Sequence, residues 1–99
     1  MTINKLNENG RLIFVLEGKL DTNSAPALQE VLIPAFDESN NVLIDMQKLA
    51  FITSAGLRTI LMGIKTAKAK DASLKFKNVS NEVMDVLHTI GFADFMVME

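Results

Sequence analysis

Two adjacent hydroxyls, a few carboxylates and one imidazole are the side chains of this 99-residue chain with chemistry to offer. Thr53 and Ser54 stand side by side, just ahead of Gly56. An apolar run, Val42 to Met46, precedes them, and Leu57, Ile60, Leu61 and Ile64 follow at helical spacing. The hydroxyls therefore fall at a helix start, where unpaired N–H groups and a positive partial charge collect. A hydroxyl there is either a cap or a seat for an anion. With Thr53 as cap, Ile52 and Leu57 form a hydrophobic staple; with Ser54 as cap, Thr53 would have to pair with Arg58. Thr53 is thus read as the cap and Ser54 as the first helical residue, its hydroxyl free. Glycine inside a first turn costs up to about 1 kcal/mol against alanine. Gly56 is therefore expected where a neighbour, read as a partner's backbone, comes close.

The other candidates converge poorly. His88 is the single histidine and there is no cysteine, which disfavours a transition-metal site and a Ser-His-Asp triad alike. No glycine-rich phosphate loop or dinucleotide fingerprint is present. Asp21 and Asp45 fall near strand ends, where α/β proteins place sites. They allow a small carboxylate enzyme or a Mg²⁺ site as a rival reading, against an interaction rim as the favoured one. No catalytic residue, metal or cofactor is expected. A net charge of −2 gives no bulk attraction to nucleic acid or anionic lipid, and no apolar run is long enough to span a bilayer. The first residues carry no signal-peptide pattern, and a cytoplasmic location is expected.

The elements that must position these groups follow from pattern. The length and 48% hydrophobic content suit one domain over residues 1–99 with one core. Asn9-Gly10 separates two strand-like runs, Ile3 to Leu6 and Arg11 to Glu17, and predicts an antiparallel hairpin. In the second run Leu12, Phe14 and Leu16 share one face. Residues 18–24 read as a loop, with Asn23 or Ser24 capping a helix whose first turn holds Pro26. Leu28, Val31 and Leu32 are its expected buried stripe, and Pro34 predicts a bend or end at Ile33. Val42 to Met46 is the most buried strand. The second helix runs from Ser54 to about Lys70, and Lys65, Lys68 and Lys70 read as a solvated helix end. Ser73 to Lys77 alternates as a strand with Leu74 and Phe76 inward. Ser80 caps a third helix with Val83, Val86, Leu87 and Ile90 toward the core, and Gly91 ends it. Phe92 to Met98 reads as a short strand or irregular tail.

The run Phe51-Ile52-Thr53-Ser54-Ala55-Gly56-Leu57 resembles the signature loop of STAS domains, in particular bacterial anti-sigma factor antagonists. There an Asp-Ser-[Ser/Ala/Thr]-Gly-Leu run follows an apolar strand, and its first serine is phosphorylated by the partner kinase. Ser54 matches that serine, and Gly56 and Leu57 the residues after it. Thr53 stands where the family usually has aspartate: a cap remains, a negative charge does not. Glu17 to Thr22 resembles the Gly-x-Leu-Asp motif, and Ser80 to Phe95 the last helix with its Gly-Phe ending.

The resemblance implies an α/β fold: a STAS-like right-handed β-α superhelix, with a mixed sheet of four to five strands, an N-terminal antiparallel hairpin and helices mainly on one face. It implies a binding module, not an enzyme. Unphosphorylated, a rim of Asp21, Thr22, Asn23 and Ser24 with Thr53, Ser54, Ala55, Gly56, Leu57 and Arg58 would bind an anti-sigma factor. That partner would be a serine kinase with a histidine-kinase-like ATPase fold, and a sigma factor would be freed. Phosphorylation at Ser54, with Thr53 as fallback acceptor, would abolish binding, and a phosphatase would reverse it. The alternative is a STAS structural subunit of a larger lipid-transport or stress-sensing assembly, without phosphorylation.

Overall fold

The computed structural model describes residues 1–99. The Asn9-Gly10 turn forms as its residue types dictate, with φ of 56° and 84°, and joins strands β1 (Thr2–Glu8) and β2 (Arg11–Leu20) as an antiparallel pair closed by Glu8 opposite Arg11. Helix α1 (Ala25–Glu38) then leads to β3 (Asn41–Ile52), α2 (Ser54–Ala69), β4 (Ser73–Lys77), α3 (Asn81–Thr89) and a short 3₁₀ turn (Phe92–Phe95). The sheet order is β1-β2-β3-β4, with β2, β3 and β4 mutually parallel. The tail adds a bridge at the far edge, where Met98 pairs parallel with Phe76. This is a mixed sheet with an N-terminal hairpin, as expected.

One apolar cluster of 23 buried residues joins the inward strand residues Leu12, Phe14, Leu16, Val42, Ile44, Leu74 and Phe76 to residues of all three helices. Ile13 and Leu43 are buried on the opposite face of the sheet. The close seating of α2 on α1 depends on Gly63, where a Cβ would stand 2.7 Å from Leu32 Cδ2.

Several local expectations give way to packing. Both central strands run further than their alternation suggests. β2 continues through Gly18 to Leu20, so only residues 21–24 form the turn to α1. β3 continues to Ile52, and between Val15 opposite Asp45 and Leu20 opposite Ile52 it carries two register shifts. Bulges of this kind break the two-residue period. Leu49 and Ile52 point inward three residues apart, while Ala50 and Phe51 lie exposed between them. Pro34 does not end α1, which runs on to Glu38. Pro34 and Glu30 are exposed, so the carbonyl that a proline leaves without its helical donor can meet water. Val31, Val86 and Ile90 are exposed instead of buried. The buried line of α2 passes through Gly56, Ile60, Gly63, Ile64 and Ala67, and Leu57 and Leu61 flank it half-buried. Ser80 caps α3 as read, accepting a 3.2 Å bond from the Val83 N–H.

Candidate functional site

The parallel ends of β2 and β3 deliver two loops to one rim. Leu20 lies opposite Ile52, and the Thr53 N–H donates to Leu20 O at 3.0 Å, pinning the β3–α2 junction to β2. Asp21 to Ser24 and Thr53 to Arg58 therefore sit side by side.

The first of these loops is held by its own side chains. Asp21 Oδ1 accepts from the N–H groups of Asn23 (3.0 Å) and Ser24 (3.1 Å). In return Ser24 Oγ accepts from the Asp21 N–H at 2.9 Å and donates to Lys19 O at 2.8 Å. Ser24 is the α1 N-cap by position, but its hydroxyl serves this turn and not the helix. The Ser24 N–H bonded to its carboxylate holds Asp21 below the usual carboxylate range. Thr22 and Asn23 are exposed at the tip.

The second loop starts α2. Thr53 occupies the N-cap position with extended backbone (φ −107°, ψ 175°), and its carbonyl accepts the first helical bond from the Leu57 N–H at 2.9 Å. The register read from the sequence is correct. The hydroxyl's role differs, because Thr53 Oγ1 points back to Leu20 O at 3.5 Å and makes no capping bond. The N–H groups of Ser54, Ala55 and Gly56 are left open, with no acidic side chain in the first turn. Ser54 is exposed at the first helical position and Arg58 one turn on is exposed too, while Ala55 and Leu57 are half-buried.

Gly56 corrects another expectation. It is buried, and a Cβ there would stand 2.6 Å from Leu20 Cγ, 2.8 Å from Leu20 O and 3.1 Å from Ile52 Cγ1. The close neighbour that demands glycine is this chain's own β2, not a partner.

Residues 2–99 match the STAS domain family. This chain belongs to the STAS family. The Anti-sigma-B factor antagonist of Bacillus subtilis (strain 168) is 29% identical over 92 residues, covering 93% of this chain and 84% of that protein. Among solved structures, an anti-sigma factor antagonist from Mycobacterium paratuberculosis superposes with a TM-score of 0.87 at 18% identity, over 98% of this chain and 83% of the other. The Bacillus cell fate determinant SpoIIAA in its phosphorylated form gives a TM-score of 0.77 at 16% identity, over 99% and 91%. These structures share the fold of this STAS domain.

The remaining candidates lie away from the STAS rim. Asp45 stands in the middle of β3, level with Val15 and Lys77, and its Oδ1 accepts from the Gln47 N–H at 3.0 Å and Asn78 Nδ2 at 3.1 Å. Seven strand residues, roughly 20 Å, separate its level from that of Ile52. Asp21 and Asp45 do not come together as the shared Mg²⁺ site held as a rival. His88 is exposed on α3, and no three His, Asp or Glu side chains gather as a metal site. No helix is long and apolar enough to cross a membrane. Of the lysines at the end of α2, Lys70 pairs with Asp37, and Lys65 and Lys68 are exposed.

The rim also holds a residue the sequence reading left out. Phe51 is 52% exposed, opposite exposed Lys19, two residues before Thr53. No local signal announced it: the register shifts between β2 and β3 set Leu49 and Ile52 inward three residues apart and leave Phe51 outward.

Proposed function

We propose that this STAS domain is an anti-sigma factor antagonist controlled by phosphorylation of Ser54. The observation that carries this reading is the exposed Ser54 at the start of α2, beside open first-turn N–H groups and next to the Asp21–Ser24 turn. The Bacillus subtilis relative and the phosphorylated SpoIIAA neighbour support it. Unmodified, the rim of residues 21–24 and 53–58, with Phe51 as apolar anchor, binds an anti-sigma factor of the ATPase kinase class and releases a sigma factor. The kinase transfers the γ-phosphoryl group of ATP to Ser54 Oγ, which gives up its proton, and ADP leaves. Thr53 is the fallback acceptor, with its hydroxyl turned toward Leu20 O. A phosphatase reverses the step. The protein is then substrate and switch, not catalyst.

The physical basis of the switch is charge. A phosphoserine adds about −1.5 to −2 charges at neutral pH. The fold accepts it, because a helix start favours an anion. The interface does not, because the charge must lose its water where a neutral hydroxyl fitted. A penalty of about 3 kcal/mol lowers affinity more than a hundredfold. The test is phosphosite mapping after incubation with the cognate kinase and ATP, followed by titration calorimetry of both forms against the purified partner. Phosphate found only elsewhere, or unchanged binding by the modified form, overturns the reading. A domain that is never phosphorylated yet co-purifies with a larger assembly is the structural subunit instead.

A further inference from the structure

We propose that β1 is the contact through which two copies of this chain associate, pairing antiparallel across a two-fold axis at Leu6. The two edges of the sheet differ. At the β4 edge the tail covers the outward groups of Phe76, with the Phe76 N–H donating to Val97 O at 2.9 Å and the Glu99 N–H to Phe76 O at 2.8 Å. At the β1 edge nothing pairs: β1 is the outermost strand, and every residue in it but Ile3 is exposed. Bonded pairs alternate along an antiparallel ladder from the two-residue turn, so Glu8, Leu6 and Asn4 bond to β2. The N–H and C=O groups of Ile3, Lys5 and Asn7 then face outward, a ready template for another strand.

Proteins commonly protect such an edge with a lysine. Here Lys5 is drawn aside, its Nζ 2.6 Å from Glu38 on α1. The face away from the helices offers the opposite of protection. Leu6 lies level with Ile13 and Leu43 in one row across three strands. The inner two are 7% and 1% exposed, whereas Leu6 is 50% exposed, so the apolar row stops unfinished at the open edge.

A second copy completes it, and the sequence selects the register. A two-fold axis at Lys5 would set two lysines directly opposite, which is destabilising. An axis at Leu6 sets Leu6 against Leu6, Asn4 against Glu8, and Lys5 against Asn7, with no like charges opposed. In that register Lys5 and Asn7 of each copy exchange main-chain bonds with Asn7 and Lys5 of the other. Leu6 falls at a non-hydrogen-bonded pair, where side chains approach most closely. The apolar row then runs unbroken from Leu43 of one copy to Leu43 of the other. One strand pair makes a small interface, so the dimer is weak, with a Kd on the order of 0.1–1 mM.

Sedimentation equilibrium across a concentration series tests this, with Leu6→Lys and Leu6→Cys as variants. The native chain is expected to dimerise with concentration, and the amides of Lys5 and Asn7 to exchange more slowly as it does. Leu6→Lys should keep the native circular dichroism spectrum, since the site is half exposed, and lose the dimer. The chain has no cysteine, so Leu6→Cys offers one thiol. It should cross-link on oxidation at least tenfold faster than a control thiol at exposed Thr89. A chain that stays monomeric up to about 1 mM, a dimer that survives Leu6→Lys, or equal cross-linking at both thiols overturns the proposal.

Discussion

Gly56 in α2 lies directly against Leu20 at the end of β2, closely enough that an added Cβ would stand 2.6 Å from Leu20 Cγ and 2.8 Å from Leu20 O. The second distance decides the outcome, because a backbone carbonyl held in the sheet cannot swing aside. Gly56→Ala would gain up to about 1 kcal/mol of helix propensity. Overpacking typically costs about 1–3 kcal/mol and here prevails. The variant should unfold at lower urea concentration than the native chain. A midpoint equal to or above the native one would mean α2 can slide off β2 at little cost.

Thr53 leads to a pair of opposite expectations. Its hydroxyl points to Leu20 O and caps nothing, so Thr53→Ala should cost less than about 0.5 kcal/mol. Thr53→Asp places an acceptor with charge beside the open N–H groups of the first turn, and should stabilise by about 0.5–1 kcal/mol. Urea melts of the two variants, run together, check both signs.

What the sequence disclosed depended on how local each signal was. The Asn9-Gly10 hairpin, the Ser80 cap and the Leu74–Phe76 alternation are set by neighbouring residues, and all formed as read. The start of α2 after Thr53 followed from the spacing of Ile52 and Leu57. The grouping of residues 21–24 with 53–58 came from the family resemblance, and the pairing of Leu20 with Ile52 is what sets the two loops side by side. Long-range packing was not legible. Gly56 announced a close approach, but only the alignment of Leu20 with Ile52 shows that the neighbour is internal. The outward turn of Phe51 depends on register shifts against β2 that no window of β3 alone reveals. That α1 would run on past Pro34 was not legible, because the exposure of Glu30 is set by where α1 rests.

Asp21 gives the turn a pH dependence. The Ser24 N–H holds its carboxyl below the ordinary range in the folded chain. A group whose folded pKa is depressed stabilises the fold above its unfolded value, and that contribution is lost as pH falls through the folded value. Asp21→Asn should be less stable than the native chain at neutral pH, and the gap should close in acid. Urea midpoints compared at neutral pH and at about pH 2 measure it. A gap that stays constant would mean that shape, not charge, holds the turn.

Phe51 should separate binding from stability. Its side chain is half exposed beside Thr53, and exposed aromatic residues at the centre of a contact often dominate its energy. Phe51→Ala is expected to leave the urea midpoint nearly unchanged and to weaken partner binding by about 2 kcal/mol or more, roughly thirtyfold. Calorimetry against the purified anti-sigma partner, beside a urea melt, reads the two effects. Equal loss in both would place Phe51 in the fold and not in the contact.

Ser54 carries the sharpest prediction, because its two variants should behave oppositely. Ser54→Ala removes an exposed hydroxyl that makes no capping bond, so stability should change by less than about 0.5 kcal/mol. It should bind the partner and resist phosphorylation at that position. Ser54→Asp sets a carboxylate in the first turn of α2, where no acidic side chain now stands. The helix dipole favours it there by about 0.3–1 kcal/mol, so the variant should melt at the native temperature or slightly above. Its binding should nevertheless fall, since the same charge must be desolvated in the contact. One carboxylate charge is less than a phosphate's, so the fall should be smaller than that caused by phosphorylation. Thermal melts and calorimetry on the two variants separate a fold effect from an interface effect. A Ser54→Asp domain that is folded and binds like the native chain would show that charge at this position does not control the partner.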